Sequence, residues 1–131
     1  MIERYTRPQM GRVWPEQNKL DKWLQVELAV CEAWADLGAI PRDAVEAIRR
    51  ARYDQDAIAR YLRQTHHDMT AFLRSLADSL PPEAGRFVHL GLTSSDVMDT
   101  ALSLQLLEAT ELLEEDLRQL LAVVERRALE H

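Results

Sequence analysis

The chain has 131 residues, 47% hydrophobic and 29% charged, with only 4 Gly and 5 Pro. That excludes a disordered or low-complexity chain and fits one soluble domain with a modest core. A net charge of −6 speaks against a basic nucleic-acid face, and no apolar run is long enough to span a membrane.

Cys31 is the single cysteine, so no intramolecular disulfide can form, and a reducing cytoplasm fits. The opening MIERYTRPQM lacks the apolar core of a secretion signal. The basic side chains are 14 Arg against 2 Lys. Arginine suits bidentate contacts to carboxylate and phosphate, although a compositional bias explains the excess equally well.

Trp14-Pro15-Glu16 predicts a helix start, because proline is tolerated in the first turn. Leu20, Leu24, Glu27, Cys31 and Trp34 then recur at helical spacing, with a second apolar line through Trp23, Val26, Val30, Ala33 and Leu37. Gly38 and Pro41 end this helix. A short helix is expected over 43–52, with Val45 and Ile48 inward. Asp54 can cap another that carries Ile58, Tyr61 and Leu62. The stretch 68–80 has Met69, Phe72, Leu73 and Leu76 at helical spacing, until Pro81-Pro82 breaks it. FVHLGL, residues 87–92, reads as loop, and nothing reads as a strand.

From Ser95 onward there is no Gly and no Pro. Leu106, Leu113 and Leu120 repeat every seven residues, with Leu117 and Val124 completing the seam. Val97, Ala101, Leu104, Leu112 and Leu121 widen the apolar face beyond a two-helix contact, so several partner helices are needed to cover it. No stop signal precedes His131, so the expectation is a piece of a longer chain, or a helix buried by other chains. The expected organisation is all-α: a small helical domain over 1–92, then over 93–131 the beginning of a long bundle helix.

Three groups of residues could carry chemistry. Thr93, Ser94, Ser95 and Asp96 form a hydroxyl run with an aspartate, just after Gly91. One reading is helix capping, with Thr93 or Ser94 accepting from first-turn N–H groups, Asp96 facing the positive end of the helix dipole, and Thr93 with Asp96 fitting the loose capping-box pattern. The other is an anion site, where free N–H groups, the dipole and extra hydroxyls converge on a carboxylate or phosphate. His66-His67-Asp68 offers a histidine beside a carboxylate, suited to acid–base work near neutral pH or equally to an N-cap. Adjacent histidines lack the i, i+4 spacing of a helical metal pair, so no metal is expected. His89 is a third imidazole just before the hydroxyl run. Arg4-Tyr5 could hold a phosphate and stack on a base, or could be an idle terminus.

Together these segments resemble the adenylosuccinate lyase family of the fumarase/aspartase superfamily. The resemblance runs through IERYTRPQM, VWPEQNKLDKWLQVELAVCEAWADLGAIP, THHDMTAF and HLGLTSSDVMDTA, in register over the whole chain. TSSD alone points only to the superfamily; its combination with ERY and HD-x-x-AF points to the purine enzymes.

The resemblance implies elimination of fumarate from adenylosuccinate to give AMP, and from the succinyl-carboxamide ribotide (SAICAR) to give AICAR, with no cofactor. It implies that Arg4 and Tyr5 contact the phosphate and ribose end. His67 orients substrate and supports proton transfer, and Asp68 contacts the nucleotide. Thr93 and Ser94 grip the succinyl carboxylates, Ser95 and Asp96 support them, and His89 stands near the same cavity. It also implies a homotetramer whose long helices form a central bundle, with each active site built from three subunits. Two family motifs, a Gly-Arg-Thr-His segment and a mobile S-S-x-M-P-x-K-x-N-P loop, do not occur in this sequence. The chain is therefore expected to be an N-terminal portion, inactive alone. The alternatives are another superfamily lyase, such as argininosuccinate lyase, aspartase or fumarase, or a non-catalytic helical interaction module.

Overall fold

Backbone rules account for most of the helix limits in the computed structural model, which describes residues 2–130. Glu3–Tyr5 forms one 3-10 turn, followed by α1 (Pro8–Gly11), α2 (Glu16–Asp36), α3 (Arg42–Ile48), α4 (Gln55–Thr65), α5 (Asp68–Ala77), α6 (Pro82–Gly85) and α7 (Ser94–Glu130). The described residues contain no strand, so the chain is all-α as expected. They form two compact units: one joins the residues up to Lys22 to those from Ala101 onward, and the other is Trp23–Thr100.

In the second unit, α2 stops where Gly38 takes φ +76°, a backbone that glycine adopts without penalty. Pro41 then precedes α3 in extended conformation. The Asp54 carboxylate caps α4, accepting from the Ala57 N–H at 2.6 Å. The Ser75 hydroxyl accepts from the Asp54 N–H at 2.8 Å and ties this cap to α5. α5 ends at Ala77, earlier than the expected 80, with turn over 78–80 before Pro81-Pro82. The prolines start α6, with Pro82 at a position where its missing N–H costs nothing. Phe72 is fully buried, edge-on to Trp23 at 5.4 Å and tilted against Tyr53 at 5.7 Å between centroids. Ile48, Met69, Ala71, Leu76 and Val97 complete this core.

The α2 stripe departs from expectation on one side. Trp23, Val26, Glu27 and Cys31 are buried, but Val30 is half-buried and Ala33 and Leu37 are exposed. Val30, Ala33 and Leu37 line an open apolar groove with Leu90 and Leu92, so the second apolar line is only half covered.

In the first unit, the Val13 carbonyl accepts from Gln105 and from Asn18, each at 2.8 Å. Asn18 also donates to Glu108, which forms an ion pair with Lys22. Those two hydrogen bonds hold the Glu108 carboxyl below its usual range. Arg7 pairs with Asp116. Ala101, Gln105 and Ala109 are buried, whereas Leu113, Leu117, Leu120 and Val124 stand exposed along α7. No described helix is long and apolar enough to cross a membrane.

Candidate functional site

The hydroxyl run sits where α7 begins. Gly91, at φ +76°, turns the chain against Trp34, whose ring lies 3.4 Å from where a Cβ would stand. The Trp34 indole N–H donates to the Leu90 carbonyl at 3.0 Å and fixes that turn. Thr93 then occupies the cap position and Asp96 the third helical position.

The cap is the Thr93–Asp96 pairing of the capping pattern, with the carboxylate rather than the Thr93 hydroxyl as acceptor. The Asp96 carboxylate accepts from the Thr93 N–H at 2.7 Å and from the Thr93 hydroxyl at 2.8 Å. Thr93 is a donor because the carboxylate reaches back to it, the reciprocal half of a capping box. This cap uses Thr93 and Asp96 and leaves Ser94 and Ser95 out of it. Their hydroxyls and the first-turn N–H groups of a 37-residue helix form a donor-rich end with a positive dipole.

The Thr93 N–H, then its hydroxyl, hold the Asp96 carboxyl below its ordinary 3.8, with the nearby His89 adding a smaller pull. A depressed folded value means the contribution is complete above pH 3.8 and is lost as pH falls through the lower folded value. Asp96→Asn is therefore expected to lower the thermal midpoint at neutral pH. The gap from the parent should close in acid, once the parent's Asp96 is protonated. Parallel melts of both proteins across pH test this; a gap that persists unchanged in acid would contradict it.

His89 is held from behind. Its backbone N–H donates to Glu27 Oε2 at 2.8 Å, and its Nδ1 lies 2.6 Å from Glu27 Oε1. The Glu27 side chain is 1% exposed and the His89 side chain 20%. His89 also takes φ +64°, a left-handed backbone that costs a side-chain-bearing residue about 1–2 kcal/mol. Burial, followed by the charges of Glu27 and Glu32, pushes the neighbouring Cys31 thiol up to about 11. Cys31 is thus no nucleophile at neutral pH.

His66 and His67 form the corner between α4 and α5. His66 closes α4 at φ +52°. His67 caps α5, its Nδ1 accepting from the Thr70 N–H at 3.3 Å. An Nδ1 acceptor puts the proton of the neutral ring on Nε2. The outward nitrogen of His67 is then a hydrogen-bond donor. Asp68 follows, exposed, in the first turn of α5.

Within the second unit, the Asp96 carboxyl senses the nearby His89 electrostatically. The hydrogen bonds of His67 stay within its own corner. Arg4 and Tyr5 belong to the first unit. The Arg4 guanidinium lies 4.8 Å over the Tyr5 ring. Tyr5 lines a cavity of about 240 Å³ with Arg7, Gln9, Leu112 and Asp116. No cluster of three or more metal-ligating side chains occurs among the described residues.

Glu27 is the residue that sequence reasoning passed over. Its signal was a lone carboxylate on the buried line of α2, where an unpaired charge is too costly to keep.

Residues 3–131 match a family model described as lyase. The chain is 46% identical over its whole length to the adenylosuccinate lyase of Aquifex aeolicus, and 46% identical to that of Synechocystis. It spans 31% and 30% of those two proteins. The solved 3-carboxy-cis,cis-muconate lactonizing enzyme of Pseudomonas putida superposes over 97% of this chain and 31% of its own, with a TM-score of 0.89 and 36% identity.

Proposed function

This chain belongs to the lyase family, and from that premise we propose that it supplies part of an enzyme releasing fumarate from adenylosuccinate and from SAICAR. The observation that carries this reading is the 46% identity to adenylosuccinate lyases over the whole length of the chain. The donor-rich start of α7 supports it, because a succinyl group presents two carboxylates to be held.

In the reaction, a base takes the proton from the carbon beside a carboxylate, and the electron pair moves onto that carboxylate. The C–N bond then breaks, an acid gives a proton to the departing nitrogen, and fumarate leaves. This chain's share is recognition and placement. Ser94, with Thr93 and the supporting Ser95 and Asp96, holds the succinyl carboxylates. The Nε2–H of His67 donates to substrate and supports proton transfer. Asp68 and His89 contact the substrate, and Arg4 with Tyr5 takes the phosphate and ribose end. The proton-transfer groups come from elsewhere in the protein, and the chain alone releases no fumarate. The exposed leucine face of α7 is covered in a homotetrameric bundle, working in the cytoplasm.

The test is a substrate panel on the complete protein, with and without Ser94→Ala. Fumarate release from adenylosuccinate and SAICAR is expected, with about a 100-fold loss in the variant. A Ser94 that touches no substrate would leave turnover unchanged, and stability too, because Thr93 and Asp96 make the cap. The likeness to the Pseudomonas putida structure motivates a second reading, so 3-carboxy-cis,cis-muconate belongs on the panel beside argininosuccinate and aspartate. Turnover confined to one of those three overturns the proposal, as does a complete protein that sediments as a monomer.

A further inference from the structure

Glu27 lies too deep to touch a ligand, yet both of its carboxylate oxygens are spent on His89, 62 residues away in sequence. A carboxylate that already accepts the His89 backbone N–H is suited to accept at its other oxygen too, which assigns the proton of the 2.6 Å contact to the His89 Nδ1. His89 is also one of two non-glycine residues with a left-handed backbone among the described residues. The backbone N–H that this conformation turns inward is the one Glu27 takes.

We propose that Glu27 is a positioning residue, which fixes the imidazole of His89 with Nδ1 inward and Nε2 as the nitrogen that meets an anionic oxygen of the substrate. This rests on the reading that His89 contacts substrate. The arrangement is the reverse of that at His67. There Nδ1 accepts from the Thr70 N–H, and the neutral ring keeps a donor on Nε2. At His89 the neutral ring has a bare Nε2, which cannot donate to an anion. An anion is met there by the imidazolium form, whose Nε2–H donates while the buried carboxylate behind it balances the charge. The charged or titratable groups recorded around the pair are Asp96, which senses His89, and Cys31, which senses Glu27.

Glu27→Gln is the informative change, because an amide has one acceptor and one donor. Its oxygen must take the backbone N–H of His89, since that donor cannot invert. Its NH2 then faces Nδ1 and forces the ring into the Nε2–H tautomer. Nitrogen-15 spectra of the ring in this chain should report Nδ1–H in the parent and Nε2–H in the variant. A merely structural role for Glu27 predicts the same exchange of tautomer with parental kcat/KM in the folded variant. In the complete protein, Glu27→Gln and His89→Gln should each lower kcat/KM by roughly 10- to 100-fold, and the double variant should be no worse than the weaker single. Glu27→Asp, which keeps the charge but withdraws it by one methylene, should show the same loss, and covers the case in which Glu27→Gln does not fold. The inference is overturned if the parent ring carries its proton on Nε2. It is equally overturned if folded Glu27 variants keep parental activity while His89→Gln does not. Parental activity in His89→Gln would instead remove the assignment of His89 to the substrate, and the inference with it.

Discussion

His67→Asn should leave the protein folded and lower its turnover about 100- to 10,000-fold in the complete enzyme. The imidazole has two tasks in this structure, and asparagine separates them. As the cap of α5, the ring accepts from the Thr70 N–H at 3.3 Å, a long bond that an asparagine side-chain oxygen makes at least as well. The melting temperature should hold or rise slightly. The second task belongs to Nε2, which asparagine does not possess. His67→Ala would remove both at once, losing about 1 kcal/mol of helix stability along with any chemistry. Thermal melts and fumarate release, measured together on both variants, distinguish the tasks. Parental turnover in His67→Asn would reduce the residue to a cap. His66, in the same corner, takes the left-handed conformation that leaves only two residues between α4 and α5.

Phe72→Ala should cost about 3–5 kcal/mol of folding stability. The ring is wholly buried, and its edge-on contact with Trp23 joins α2 to α5, while Tyr53 closes the other side. Truncation forfeits the transfer energy of the ring and leaves a void that two rigid aromatic neighbours cannot collapse into. Small domains hold about 5–15 kcal/mol in total, so much of the margin goes. Phe72→Leu, which keeps most of the volume, should cost about 1–2 kcal/mol. Urea unfolding of the three proteins gives the difference directly. A loss below about 1 kcal/mol for Phe72→Ala would mean that this core repacks freely.

Local rules made most of the helices legible. The cap at Asp54, the stop at Gly38 and the absence of any breaker along α7 each act within a turn or two of chain, so residue order suffices to read them. The hydroxyl run and the histidine pair were legible as candidates for the same reason. α6 was not, because its four residues carry no periodicity and the two prolines that read as a helix breaker begin it.

What only the tertiary structure decided is where donors meet acceptors across the fold. The sequence placed Glu27 on a buried face but could not name its partner, since the 62-residue separation from His89 closes only when the chain is packed. It offered Thr93 as an acceptor; the reach of Asp96 made it a donor. It expected Leu37 inside, and the opening beside Trp34 leaves it outside. Sequence fixes periodicity and capping because these depend on neighbours along the chain. Which nitrogen of a histidine faces a ligand depends on a single hydrogen bond from a distant residue, and that is set by packing alone.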